Sequence, residues 1–309
     1  MKNILLFLLL TSSFISAQEA NILFNRINMA VYNPAFTGAN GSFVSLNNRS
    51  QWSRIKDAPR TNYLIYNLPK SEKVALGFTA QNDQVFIENK TYFTIDYSYQ
   101  LQVSTDQFFY LGLKGGGFYN NIDVNRLKRI YVTYNPALEP VSSYFTPILG
   151  LGIRYQSPNY FIGIGIPSLF DNKRFQDNNG WETTASDLVY LYYSFGSTIY
   201  LNEDFNFEPV LIYRALPNSP NLLSTTFAFN FKEQFSIGGG YANNNNIAFF
   251  ITSKNLNGIE WGYGYEVMNR TEATAIQGGT HELMLRFIIG NKSNTSKNQT
   301  KRKEGYNER

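Results

Sequence analysis

The sequence predicts an all-β protein, a single-chain antiparallel outer-membrane β-barrel most consistent with 14 strands. Three observations lead there. Apolar and polar residues alternate with period two over many long segments, as in a strand with one oily and one wet face. The segments often reach about nine residues or more, the length of a tilted membrane-crossing strand. The connections between them alternate between short and long. Alternation alone would also fit a soluble sandwich, whose apolar face points inward; length and loop pattern favour the barrel.

The chain opens with Lys2, an apolar run from Ile4 to Leu10 and small residues at Ser16 and Ala17. This pattern predicts a signal peptide over 1–17, cleaved before Gln18, and hence an exported protein. Cysteine is absent, so no disulfide or thiolate chemistry is available. No later run approaches the roughly 18 apolar residues of a membrane helix. With 25 Phe and 22 Tyr, the aromatic load suits sheet.

Residues 18–40 read as an N-terminal periplasmic or plug-like arm, and 41–289 as the barrel. Strands are predicted near 41–50, 59–68, 74–82, 89–103, 107–118, 144–157, 159–167, 186–201, 205–215, 221–232, 234–242, 245–253, 256–268 and 280–289. In KTYFTIDYSYQL, Phe93, Ile95, Tyr97, Tyr99 and Leu101 share one face, with Thr94, Asp96, Ser98 and Gln100 on the other. Leu149, Leu151, Ile153 and Tyr155 likewise oppose Gly150, Gly152, Arg154 and Gln156. Phe227, Phe229 and Phe231 oppose Ala228, Asn230 and Lys232, and the closing strand sets Leu283, Leu285 and Phe287 against Glu282, Met284 and Arg286. Because unpaired backbone groups are costly in hydrocarbon, the last strand is expected to pair with the first. An even strand count puts both termini in the periplasm. The outer connections are then 51–58, 83–88, 119–143, 168–185, 216–220, 243–244 and 269–279.

Aromatic residues near strand ends, Tyr63, Tyr66, Tyr160, Trp181 and Trp261, are expected to form interface girdles. Alternate-position glycines (150/152, 163/165, 238/240, 262/264) fit either tight barrel curvature or the close approach of a plug. Residues 290–309 carry six Lys or Arg against two Glu and read as a basic periplasmic tail. That tail suits peptidoglycan-associated proteins or anionic headgroups. Nucleic acid is excluded as a partner by compartment and by the lack of an aromatic-interleaved basic module.

The sequence argues against an enzyme. His281 is the sole histidine and sits at the parity of the oily face, where a rim residue bonded to nearby backbone is the plain reading. There is no G-x-S-x-G elbow, and GGG at 115–117 and 238–240 lacks the Lys-Ser/Thr of a phosphate loop. Glu260, Glu266 and Glu282 form an acidic set for which Arg154, Lys232 and Arg286 are ordinary lumen partners. No cofactor and no metal are expected.

Four blocks carry a family resemblance: NPAFTG (33–38), RSQWSRIKDAPRT (49–61), YFIGIGIPSLF (160–170), and WGYGYEV (261–267) followed by GGTHELMLRF (278–287). In this order they resemble the PorP/SprF family of the type IX secretion system, over about residues 21–290. Thr280 stands where a serine is usual and keeps the hydroxyl. The resemblance implies a Bacteroidota outer-membrane barrel in contact with lipid, serving secretion, gliding motility or surface retention. In SprF-like members a large surface adhesin is engaged through its C-terminal domain, alongside type IX translocon or gliding components. In PorP-like members the partners are an OmpA-like peptidoglycan-binding lipoprotein and the periplasmic ring. A solute porin is the lower-ranked reading.

The carried-over positions Asn33, Pro34, Gly38, Arg49, Trp52, Pro59, Arg60, Thr280, His281 and Glu282 are expected to be structural or partner-contact residues. Arg49 and Arg60 are expected to pair with the acidic side of the closing strands or, as the alternative, to contact phosphate at a membrane rim. Tyr131, Tyr134, Tyr144, Phe145, Phe170, Phe175 and Trp181 are candidate outer-loop contacts, since rigid rings often anchor interfaces.

Overall fold

In a computed structural model the described residues are 23–123, 143–170, 172–178, 181–187, 189–215, 220–268 and 278–289. They form β1 (Phe43–Ser50), β2 (Arg60–Asn67), β3 (Val74–Val85), β4 (Glu88–Ser104), β5 (Gln107–Ile122), β6 (Tyr144–Gln156) and β7 (Tyr160–Ile166). A separate hairpin follows, β8 (Asn172–Asn178) with β9 (Trp181–Asp187). Then come β10 (Leu191–Ser197), β11 (Ile199–Tyr200), β12 (Phe205–Ala215), β13 (Leu222–Phe231), β14 (Phe235–Ala242), β15 (Asn246–Lys254), β16 (Ile259–Met268) and β17 (Thr280–Ile288). β10 and β11 are one stave broken at Thr198, so the barrel is an all-antiparallel ring of 14 strands.

The ring closes at two diagnostic seams. β10 bridges β7 and β12. β1 lies antiparallel to β17, from Phe43 opposite Ile288 to Ser50 opposite His281. Every barrel strand thus has a neighbour on both sides, which is what a spanning sheet needs where no water can satisfy an edge.

Hydrophobicity is turned outward. Phe93, Ile95, Leu113, Phe145, Ile237, Phe249 and Leu283 are all at least half exposed, while their alternates Thr94, Asp96, Lys114, Thr146 and Glu282 are buried. This is the inverse of a soluble sandwich and gives each strand a lipid face and a lumen face. Tyr160 and Trp261 point outward as girdle residues should, but Tyr63 does not. It shares the parity of Thr61 and Ile65 and is buried in the lumen, so the expectation that it joins a girdle is corrected.

Several boundaries also move. β3, β4 and β5 run longer than predicted, so the connection expected over 83–88 shrinks to Phe86 and Ile87. Their extra residues are polar or mixed and carry no oily alternation. At 17 residues, β4 is about 55 Å long, far more than the apolar band requires. The strand predicted from 186 begins at Leu191, because the preceding connection folds on itself as the β8–β9 hairpin.

The interior is not empty. Leu23 is buried, and Phe24, Ile27, Met29, Tyr32 and Phe36 form one apolar cluster with the inward-facing Phe43, Tyr63, Ile65, Tyr192, Val210, Ile212 and Met284. Two 3-10 turns, Met29–Val31 and Pro34–Phe36, fold residues 23–38 compactly inside the ring before the chain passes through exposed residues 39–41 into β1. The hydrophobic core of the molecule is therefore the contact between this segment and the lumen wall.

Candidate functional site

The most specific geometry lies where the N-terminal segment meets the wall. Asn33 begins the second 3-10 turn, and its Oδ1 accepts from the Ala35 N–H at 2.9 Å, a side-chain cap of the turn. Its Nδ2 donates to the carbonyls of Ile153 and Ile164, both at 3.1 Å, which face each other across β6 and β7. Pro34 at the first position presets the turn torsion. Gly38 has φ +75° and lies against Ala75, so a side chain there is excluded twice over.

The wall beneath has been cut back to receive this turn. Gly112, Gly152 and Gly165 are successive register partners across β5, β6 and β7. A Cβ at Gly112 would overlap the Pro34–Ala35 backbone, one at Gly152 the Asn33 side chain, and one at Gly165 Asn33 and the Tyr32 carbonyl. Close approach of an internal segment, rather than curvature alone, thus accounts for these glycines. On the far wall Gly262 and Gly264 make room for Phe24 and Leu23 in the same manner. Phe36 packs edge-on to Phe161 at 5.0 Å, and Phe24 edge-on to Phe250 at 5.8 Å. Thr226 Oγ1 donates to Asn25 Oδ1 at 3.2 Å, and Arg26 forms an ion pair with Glu208.

Nearer the end with the long connections lies a buried charge cluster. Arg49 donates to Glu266 at 3.0 and 3.1 Å and to Glu282 at 3.2 Å. One guanidinium cannot fully compensate two carboxylates. The remainder comes from the N-terminal segment, whose Leu23 N–H donates to Glu282 at 2.9 Å, with the Phe24 N–H more distant at 3.5 Å. Asn246 donates to Glu266 at 2.8 Å. The cluster therefore ties β1, β15, β16, β17 and the internal segment together, and Thr280 is buried beside it opposite Glu266. Two further lumen pairs, Lys114 with Asp96 at 2.7 Å and Arg286 with Glu260, follow the same rule that buried charges are paired. Among the described residues no group of three His, Cys, Asp or Glu side chains converges as a metal site.

The other sequence candidates lie apart from this interface. Arg60 does not join Arg49: Ser50 faces Arg60 in the β1–β2 register, so Arg60 has the opposite parity and stands exposed on the outside. Lys232, expected in the lumen, sits instead in the β13–β14 turn with φ +50° and pairs with Asp204 at 3.8 Å. Trp52, with φ +46°, and Pro59 shape the β1–β2 connection, where the Gln51 N–H donates to the Pro59 carbonyl. His281 faces outward. Its Nδ1 lies 2.9 Å from the Tyr263 hydroxyl rather than against backbone, and its ring lies 5.0 Å from that of Tyr265.

Of the predicted outer-loop contacts, Tyr144 and Phe145 begin β6, and Phe145 and Phe170 are exposed. Phe175 and Trp181 fall in the β8–β9 hairpin, opposite Thr184 and Asn178. Tyr131 and Tyr134, like residues 1–17 and 290–309, lie outside the described residues. Sequence reasoning did not single out Gly112, nor Leu23 and Phe24. The available signal was that Gly112 shares inward parity with the 150/152 and 163/165 pairs.

Solved outer-membrane proteins resemble the fold at low identity. Omp33 of Acinetobacter baumannii gives a TM-score of 0.46 at 10% identity, covering 80% of this chain and 98% of that one. The CymD monoaromatic hydrocarbon channel gives 0.45 at 12% identity, covering 88% and 93%. The Ralstonia pickettii toluene transporter TbuX gives 0.46 at 10% identity, covering 84% and 93%. No curated protein matches the sequence. The profile of the type IX secretion system membrane protein PorP/SprF matches residues 17–287, nearly the whole barrel with its internal segment, and the chain belongs to that family.

Proposed function

We propose that this outer-membrane barrel is a non-catalytic anchor of the type IX secretion and gliding system. In this reading it binds a large cell-surface adhesin through that protein's C-terminal domain, retaining it or helping its export. The observation that carries the reading is the packed lumen: residues 23–38 occupy the interior and are bonded to opposite walls. A barrel filled in this way is suited to holding a partner at its rim rather than to passing one through its bore. The rim with the long connections offers the surface, because β3–β5 rise there well beyond the apolar band and the β8–β9 hairpin adds a further projection. Both termini are then periplasmic, which sets the short turns and the basic tail facing the secretion machinery.

Affinity purification of the full-length protein from its own envelope, followed by protein identification, tests this. A large adhesin recovered in near-stoichiometric amount supports it. Recovery of only a peptidoglycan-binding lipoprotein and periplasmic ring components would replace it with the PorP-like linking role. Steady conductance by the intact barrel in a planar bilayer would instead select the solute porin.

A further inference from the structure

The lumen pairs its cations with carboxylates: Arg26 with Glu208, Arg49 with Glu266 and Glu282, Lys114 with Asp96, and Arg286 with Glu260. Arg154 breaks that pattern. It is 4% exposed, yet among the described residues no carboxylate or other acceptor meets it, and its Nε is buried without a partner. It is held instead against two rings, with Cζ 4.7 Å from the centroid of Phe36 and 4.0 Å from that of Tyr110. Stacking offsets part of the cost of burying the charge but leaves the fork of N–H donors unused.

A second cation stands beside it. Lys70, in the turn between β2 and β3, lies 5.7 Å from the centroid of the same Tyr110 ring. It donates to Gln100 Oε1, which also accepts from the Tyr110 hydroxyl at 3.3 Å, and it too has no ion pair among the described residues. Desolvation, together with the nearby Arg154 charge, holds the Lys70 ammonium below the usual lysine range. Both cations sit at the mouth ringed by short turns, since Arg154 is two residues from the end of β6. Gln100, Tyr110 and Arg154 all have inward parity, and Phe36 of the internal segment forms the inner end of the recess.

We propose that this recess is a binding site for a carboxylate, presented by an acidic segment of a protein partner entering the short-turn mouth. A carboxylate accepts two parallel bonds from one guanidinium edge, while Lys70 supplies a point charge next to it. The inward parity of the cluster separates it from the lipid face, which favours a peptide over a membrane headgroup. The site lies at the opposite rim from the adhesin surface proposed above and does not depend on it.

The test uses the full-length barrel in detergent and a fluorescein-labelled Gly-Glu repeat peptide, read by anisotropy, with a Gly-Gln repeat as control. Saturable, salt-sensitive binding of the acidic peptide is expected, weakened about tenfold or more in Lys70→Gln and in Arg154→Gln. Lys70 occupies an exposed turn, so its variant keeps the barrel folded even where the Arg154 variant does not. Absence of saturable binding at low salt, equal binding of the Gly-Gln peptide, or unchanged affinity in Lys70→Gln each overturns the assignment. So does capture of phosphatidylglycerol vesicles in place of the peptide.

Discussion

Arg49 joins β1 to Glu266 on β16 and Glu282 on β17 through a single buried guanidinium. Its loss leaves Glu266 and Glu282 facing each other in a buried site with only amide donors for company. Breaking such an arrangement by removing one partner costs about 3–5 kcal/mol. Arg49→Met is therefore expected to lower the temperature at which the barrel loses its compact mobility in cold-loaded SDS gels. Arg49→Met combined with Glu266→Gln and Glu282→Gln should recover part of the loss, because no unpaired charge then remains.

The glycines make a sharper comparison. Gly152→Val pushes a side chain into Asn33 and should destabilise by about 1–3 kcal/mol, the usual cost of overpacking. Gly115→Val points outward with no atom within 4 Å and should stay within about 0.5 kcal/mol of the parent. Equal effects in the two variants would show that the glycine row is not a seat. His281→Ala removes one exposed hydrogen bond and two ring contacts, so its effect should not exceed about 1 kcal/mol, measured by the same gel shift.

Among the elements, the N-terminal segment is the one whose removal should change behaviour rather than only stability. Deleting residues 23–41 takes away the apolar filling and exposes a lumen lined by Asp96, Lys114, Arg154, Glu260 and Arg286. Single-channel recording should show steady conductance in the deletion variant and none in the parent. The strands themselves were readable from sequence because alternation is local: Phe93 to Leu101, or Leu283 to Phe287, states its face within one segment. Parity fails only where the signal is thin. Thr61, Tyr63 and Ile65 form an inward row that contains a tyrosine, and the polar upper reaches of β3–β5 have no oily face to count. The seat of the arm was not readable at all. Asn33 and its acceptors Ile153 and Ile164 are separated by 120 and 131 residues, and no period links them. What sequence could offer was the paired glycines, whose two readings differ only in what lies above them.

At the scale of the whole molecule, everything rests on the seam between β1 and β17. Leu46 and Leu285 face each other across it on the outer surface. Opposed antiparallel positions have Cα atoms about 4.5–5.5 Å apart, within the range a disulfide spans. The double variant Leu46→Cys, Leu285→Cys should therefore form an intramolecular disulfide on mild oxidation, detected by mass spectrometry of the linked peptides. An open sheet would leave both thiols free.

That seam also bears on biogenesis. The segment inside the ring leads directly into the strand that makes one lip of the seam, while the other lip is the last strand to be synthesised. Until that late strand arrives, the hoop is a curved sheet with a gap, and the hydrophobic faces of Phe24, Tyr32 and Phe36 can settle sideways onto it. Once the lips zip together, no lateral doorway remains. Nesting before sealing would spare the segment a passage through the mouth, and a chain that zips early would have to thread its leading residues in from the short-turn end.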